Sequence, residues 1–117
     1  MNKALELLPL EATVKALIAA TNAFDVQAGL ALFTAGAVID DPSTGHTFRG
    51  RAGVREYLQR YFVGYHTVTR LLSVTVLGKT GIRARVDFTG DFGHEIGRLD
   101  LAVDAHGRIS RIDAALE

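Results

Sequence analysis

The sequence predicts an α+β fold in which helices come first and a curled antiparallel sheet follows. Apolar residues at helical spacing are confined to the first half, β-branched runs fill the second, and short glycine-bearing turns join those runs as consecutive hairpins. A meander that twists and curls around helices leaves a cone-shaped cavity. The expected architecture is therefore a curved antiparallel sheet with three N-terminal helices packed on its concave face. At 117 residues the chain fits one domain over residues 1–117.

From Leu10 to Phe24, Val14, Leu17, Ile18, Thr21 and Phe24 keep the three-and-four spacing of an amphipathic helix. Asp25 can cap a second helix that runs to about Thr34, with Gly36 as its stop. Ala37 to Asp41 reads as a short strand ended by Pro42, and Ser43 to Gly50 as a loop. Helical spacing returns from Arg51 to Phe62, where Val54, Tyr57, Leu58, Tyr61 and Phe62 oppose a charged side. Four strands follow, His66 to Leu77, Ile82 to Phe92, Glu95 to Val103 and Ile109 to Leu116.

Composition excludes several function classes. Hydrophobic residues make up 48% and charged residues 22%, enough for a core and too apolar for disorder. The 13 basic and 13 acidic residues cancel without forming a like-charged run, so no surface is built to displace counterions from nucleic acid. Near-zero net charge favours self-association. Since the strands carry apolar residues on more than one side, a homodimer through the convex sheet face is expected.

There is no cysteine, which rules out a disulfide framework, a thiolate nucleophile and a zinc–thiolate site. His46, His66, His94 and His106 lie in or beside turns without paired ligand spacing, so no metal site is expected; His46, in the loop after Asp41, is the one to watch. Glu6, Pro9 and Glu11 interrupt the N-terminal apolar stretch, and no run approaches membrane-spanning length. No cofactor, no membrane association and a cytoplasmic location are the corresponding expectations.

The chemistry-bearing residues start with Asp40-Asp41-Pro42. Adjacent carboxylates at a strand end point to opposite faces, so one can enter a pocket, and Asp41 is the better candidate; its plain alternative is a turn initiator before proline. Asp100 lies inside a strand between Leu99 and Leu101, where burial would keep it protonated. Alternatively it faces outward and pairs with Arg98 or Arg85. Arg85 and Asp87 share a face, as do Arg98 and Asp100; such a cluster can orient a water or an epoxide oxygen, or form a solvated salt-bridged surface. Tyr57 and Tyr61 read as core, although a hydroxyl reaching the cavity would matter. No nucleophile elbow, phosphate-cradling loop or dinucleotide fingerprint is present.

The segments Ala37-Val38-Ile39-Asp40-Asp41-Pro42, Phe48-Arg49-Gly50-Arg51 and Val54-Arg55-Glu56-Tyr57-Leu58, with Leu99-Asp100-Leu101 ahead of Gly107-Arg108-Ile109, resemble SnoaL-like proteins of the nuclear transport factor 2-like superfamily, and ketosteroid isomerases most of all. The resemblance spans nearly the whole chain. It implies Asp41 as the proton-shuttling base and Asp100 as a protonated acid holding an enolate oxygen. The isomerase tyrosine on helix one falls at Leu17, a departure that would require Tyr57 or Tyr61 to donate from another direction.

Arg85-Val86-Asp87 is similar to the Arg-x-Asp pair of limonene epoxide hydrolase-like proteins, but their last-strand aspartate matches Ala114, with Asp113 one place away and pointing oppositely. The expected pocket accordingly combines Asp41 and Asp100 with Leu17, Tyr57, Tyr61, Arg85, Asp87, Arg98, Ile112 and Ala114, around a small hydrophobic carbonyl compound such as a steroid or polyketide. The expected activity is isomerisation or aldol-type cyclisation. The alternatives are a non-catalytic binding or dimerisation module and an epoxide hydrolase-like enzyme. Strand alternation sends Leu99 and Leu101 into the cavity, whereas the resemblance sends Asp100 there; the expectation follows the resemblance.

Overall fold

In the computed structural model, residues 3–117 are described, with side chains from Pro9 onward. Helix α1 spans Lys3–Asn22, starting ahead of the expected Leu10 and continuing through Pro9. It ends where Phe24 turns left-handed, at φ 55°, and the amides of Ala23, Phe24 and Asp25 fold back onto carbonyls of the last turn. The Asn22 side chain ties this end to the sheet, accepting from the Thr69 amide at 2.7 Å and donating to the Thr69 carbonyl at 2.9 Å.

Asp25 caps α2 as its position predicts, with its carboxylate accepting from the Ala28 amide at 3.0 Å. Helix α2 is only Val26–Leu30, however, and strand β1, Phe33–Asp41, takes over the Thr34 and Gly36 that sequence spacing had assigned to the helix and its stop. The reason is pairing: the Ile109 amide donates to the Leu32 carbonyl at 2.8 Å, so the extended chain begins earlier than its own residues require.

Pro42–Thr44 forms one 3-10 turn, and His46–Arg49, expected as loop, is strand β2, paired antiparallel with β1. Helix α3 is Gly50–Tyr57 and passes into a π-helical stretch, Leu58–Val63. The remaining strands are β3 (Val68–Val76), β4 (Gly81–Gly90), β5 (Gly93–Val103) and β6 (Ile109–Leu116).

All six strands make one curved sheet in the order β2-β1-β6-β5-β4-β3. Strands β3 to β6 form the antiparallel meander that the sequence predicts. The sheet is not wholly antiparallel, because β1 lies parallel to β6, with Ile39 opposite Ile112 and Asp40 opposite Asp113. No helix among the described residues is long and apolar enough to cross a membrane.

The inner face carries Ala37, Ile39, Ile82, Ala84, Val86, Leu99 and Leu101, all buried in one core with Val14 and Leu17 of α1, Val54 of α3 and Leu58 of the π-helical stretch. Complete burial of a residue such as Ile39 or Ile82 stabilises the fold by about 1.5–3 kcal/mol relative to leaving it exposed. The outer face is charged. Arg83 forms a bidentate pair with Asp100, Arg85 with Glu117 and Arg111 with Asp113, while Arg70 and His94 both reach Asp87. Alternation therefore gives the correct face for Leu99 and Leu101, and the outer surface sets apolar side chains, Val68 and Ile96 among them, between these ion pairs.

Candidate active site

A cavity of about 350 Å³ opens at one end of the sheet, between the π-helical segment, the start of β3, the β4–β5 hairpin and the end of β6. Asp41 reaches it because β1 alternates: Ala37, Ile39 and Asp41 turn inward, and Asp40 turns outward toward Arg111. Pro42 stops the strand, and the Asp41 carboxylate caps the turn that follows. Its Oδ1 accepts from the Ser43 amide at 3.1 Å and the Ser43 hydroxyl at 2.6 Å. Its Oδ2 accepts from the Tyr57 hydroxyl at 2.7 Å. A carboxylate has about four acceptor positions, so three donors leave one for a ligand.

Tyr57 is fixed at the end of α3, with its ring edge-on to Phe48 at 5.1 Å. Burial, and then the charge and hydrogen bond of Asp41, raise its phenol pKa well above the usual tyrosine value. Residues four apart share one side of a helical turn, and Tyr57, Tyr61 and Tyr65 follow one another with ring centroids 5.4 and 5.9 Å apart. The widened turn, closed by the Gly64 amide on the Gln59 carbonyl at 2.8 Å, carries Tyr61 and Phe62 onto the cavity wall.

At the mouth, Tyr65 meets Phe92 of the β4–β5 hairpin at 6.1 Å. Two contacts hold these lips together: the Asp91 amide donates to the Tyr65 carbonyl at 2.8 Å, and His66 Nδ1 lies 2.8 Å from Asp91 Oδ2. Glu95, exposed to solvent, completes the mouth. It stands opposite Phe88 across β4–β5 and shares the inward parity of Gly97, Leu99 and Leu101.

Of the residues that sequence reasoning nominated, the cavity brings together Asp41, Tyr57 and Tyr61. Leu17, Ile112 and Ala114 are buried core positions, and none of them lines this cavity. The remaining expectations are corrected as well. Asp100 points to the outer face, where Arg83 holds it at 2.8 and 2.9 Å, because inward parity on β5 goes to the leucines. Arg85 and Asp87 share that outer face with it, in separate ion pairs, and Arg98 lies there too, exposed. His46 is exposed beside Phe48 and lines no part of the cavity.

Sequence reasoning missed Tyr65, Phe92 and Glu95. The four-residue rhythm of Tyr57-Tyr61-Tyr65 and the shared parity of Glu95 with Leu99 were the signals available.

Taken together, a curved sheet closed by helices, with an aromatic-lined cavity and a carboxylate on its inner wall, defines a fold of the nuclear transport factor 2-like kind. The chain belongs to the SnoaL-like domain family, whose model matches residues 14–114. No curated protein sequence matches it.

Among solved structures, it is similar to the epoxide hydrolase/cyclase-like enzyme SalBIII of pyran ring formation in the polyether salinomycin, at 18% identity over 92% of this chain and 90% of that one, with a TM-score of 0.82. RV0760c from Mycobacterium tuberculosis, solved with estradiol-17beta-hemisuccinate, is 15% identical over 93% and 94% of the two chains, with a TM-score of 0.80. An NTF2-like protein of unknown function from Cytophaga hutchinsonii is 10% identical over 92% and 89%, with a TM-score of 0.78. At these identities the likeness establishes the fold.

Proposed function

We propose that this protein carries out proton transfer on a small hydrophobic carbonyl compound, isomerising it or closing a ring by an aldol-type step, with Asp41 as general base. One observation carries the reading: Asp41 sits on the wall of an aromatic cavity, steadied by a buried tyrosine hydroxyl, with an acceptor position to spare. Asp41 takes the proton from the carbon beside the carbonyl, and the electron pair moves onto the carbonyl oxygen. The proton then returns at another carbon, or the enolate carbon attacks a second carbonyl, whose oxygen takes the electron pair of its C=O π bond and then the proton from Asp41.

The enolate oxygen needs a donor. Asp100 is on the wrong face, so the role passes to Tyr61 or Tyr65, which line the cavity and whose hydroxyls make no hydrogen bond among the described residues. One such donor is worth about a hundredfold or more in rate. The fold's likeness to an epoxide hydrolase/cyclase-like enzyme fits a pocket of this size and lining.

A non-catalytic binder is the second reading, favoured by the two Ser43 donors that make Asp41 a turn cap as well. The epoxide hydrolase reading loses the residues nominated for it, since Arg85 and Asp87 face away from the cavity, and keeps only the fold's likeness to an epoxide hydrolase/cyclase-like enzyme. Homodimerisation through the outer face, supported by zero net charge and by the apolar Val68 and Ile96 among its ion pairs, would be partly ionic and so weaken in high salt.

Solvent deuterium uptake beside the carbonyl of an aryl ketone such as tetralone tests the main reading. The wild type is expected to catalyse exchange, and Asp41→Asn to lose it by orders of magnitude while still binding the ketone. A wild type that binds the ketone without catalysing exchange is a binder.

A further inference from the structure

The charge of the cavity has no internal answer. Asp41 and Glu95 both line it, and no lysine, arginine or histidine among the described residues does. Asp41 is held by three donors, whereas Glu95 makes no hydrogen bond or ion pair among the described residues. The nearest basic neighbour in sequence, His94, turns to the other face of β5 and contacts Asp87. Arg85 and Arg83 are likewise committed on that face, to Glu117 and Asp100.

Beside Glu95 the wall is aromatic. Tyr65 and Phe92 meet at 83°, forming two sides of a corner at the mouth, and Phe88 stands directly across from Glu95 in the strand register. Ring faces carry the negative part of the aromatic quadrupole and attract cations, as a ring of this cluster already does: Arg60 lies 5.5 Å from the centroid of Tyr61. An unpaired carboxylate next to an aromatic corner repels an anion and receives a cation, and the apolar interior beyond it accepts an uncharged body.

We propose that the ligand of this pocket carries a protonated amine at the end held in the mouth, between Glu95 and the Tyr65–Phe92 corner, with an apolar body directed toward Asp41. The inference rests on the cavity being the ligand site of the proposed function and assigns the chemical class of that ligand. Compounds ending in a carboxylate are rejected by the same charge.

The test uses three probes that differ only at one end, phenylbutylamine, phenylbutanol and phenylbutanoate, titrated into the full chain with affinity and contact read from NMR shifts of the pocket tyrosine rings. The amine is expected to bind about tenfold or more tighter than the alcohol, and the alcohol tighter than the acid, with the differences shrinking as salt is raised. Glu95→Gln is expected to bring amine and alcohol together, and Glu95→Lys to reverse the order. Equal binding of amine and alcohol to the wild type overturns the inference, as does an amine preference that survives Glu95→Gln or binding of the amine that leaves the tyrosine rings unshifted. None of these outcomes depends on turnover, so ketone exchange lost in Asp41→Asn stands or falls separately.

Discussion

The Tyr57 hydroxyl donates to Asp41 Oδ2 over 2.7 Å, linking the end of α3 to the end of β1 inside the candidate pocket. Both side chains are largely withdrawn from solvent, at 5% and 7% exposure, so the contact is not one that water replaces freely. Tyr57→Phe removes the donor and leaves a buried acceptor short of a partner. The expected cost is about 1–3 kcal/mol in chemical denaturation, together with slower ketone exchange. An unfolding midpoint equal to the wild type would show that the contact contributes nothing.

The same contact gives a pH dependence. The phenol of Tyr57 is held above its unfolded value by burial and by Asp41, so the folded state keeps a proton that the unfolded state releases from about pH 10. Stability from this group is complete below that pH and falls as pH rises toward the higher folded value. Denaturation midpoints measured above and below about pH 10 should diverge more for the wild type than for Tyr57→Phe. Equal slopes for the two proteins would remove Tyr57 as the cause.

Asp100 supplies the contrast to Asp41. Its partner Arg83 is 41% exposed and the pair lies on the outer face, so Asp100→Asn should cost under about 1 kcal/mol and leave turnover and ligand affinity within about twofold. A loss of turnover comparable to that of Asp41→Asn would restore Asp100 to the chemistry and overturn the placement of the site.

Gly90 sets how closely the lips of the pocket approach. A Cβ there would come within 2.7 Å of the Tyr65 carbonyl oxygen and 2.8 Å of Phe92 Cε1, the first of which is backbone and cannot swing aside. Gly90→Ala is expected to destabilise by about 1–3 kcal/mol and to speed hydrogen exchange of the Asp91 amide, whose acceptor is that same carbonyl. Unchanged exchange at Asp91 would show that the mouth tolerates the added methyl.

Much of the architecture was legible because its signals are local. Asp25 as a cap, the periodicity of α1 and α3, and the glycine-bearing turns of the meander each depend on a few neighbouring residues. Strand β2 was not legible, since four residues with little apolar content become a strand only by pairing with β1. The early start of β1 has the same origin, in its parallel contact with β6.

For the site, the sequence alone determined that Asp40 and Asp41 point oppositely, that Tyr57 and Tyr61 share one side of a helix, and that Leu99 and Asp100 cannot share a face, because covalent geometry imposes these relations on any strand or helical turn. Only the tertiary structure decided which face became the interior. Burying Leu99 and Leu101 removes apolar surface from water, while burying Asp100 would desolvate a carboxylate that Arg83 satisfies on the outside. The meeting of Asp41 with Tyr57, and the placing of Glu95 at the mouth of the same cavity, come from segments far apart in the chain. The curvature of the sheet brings them to one cavity, and no local pattern encodes it.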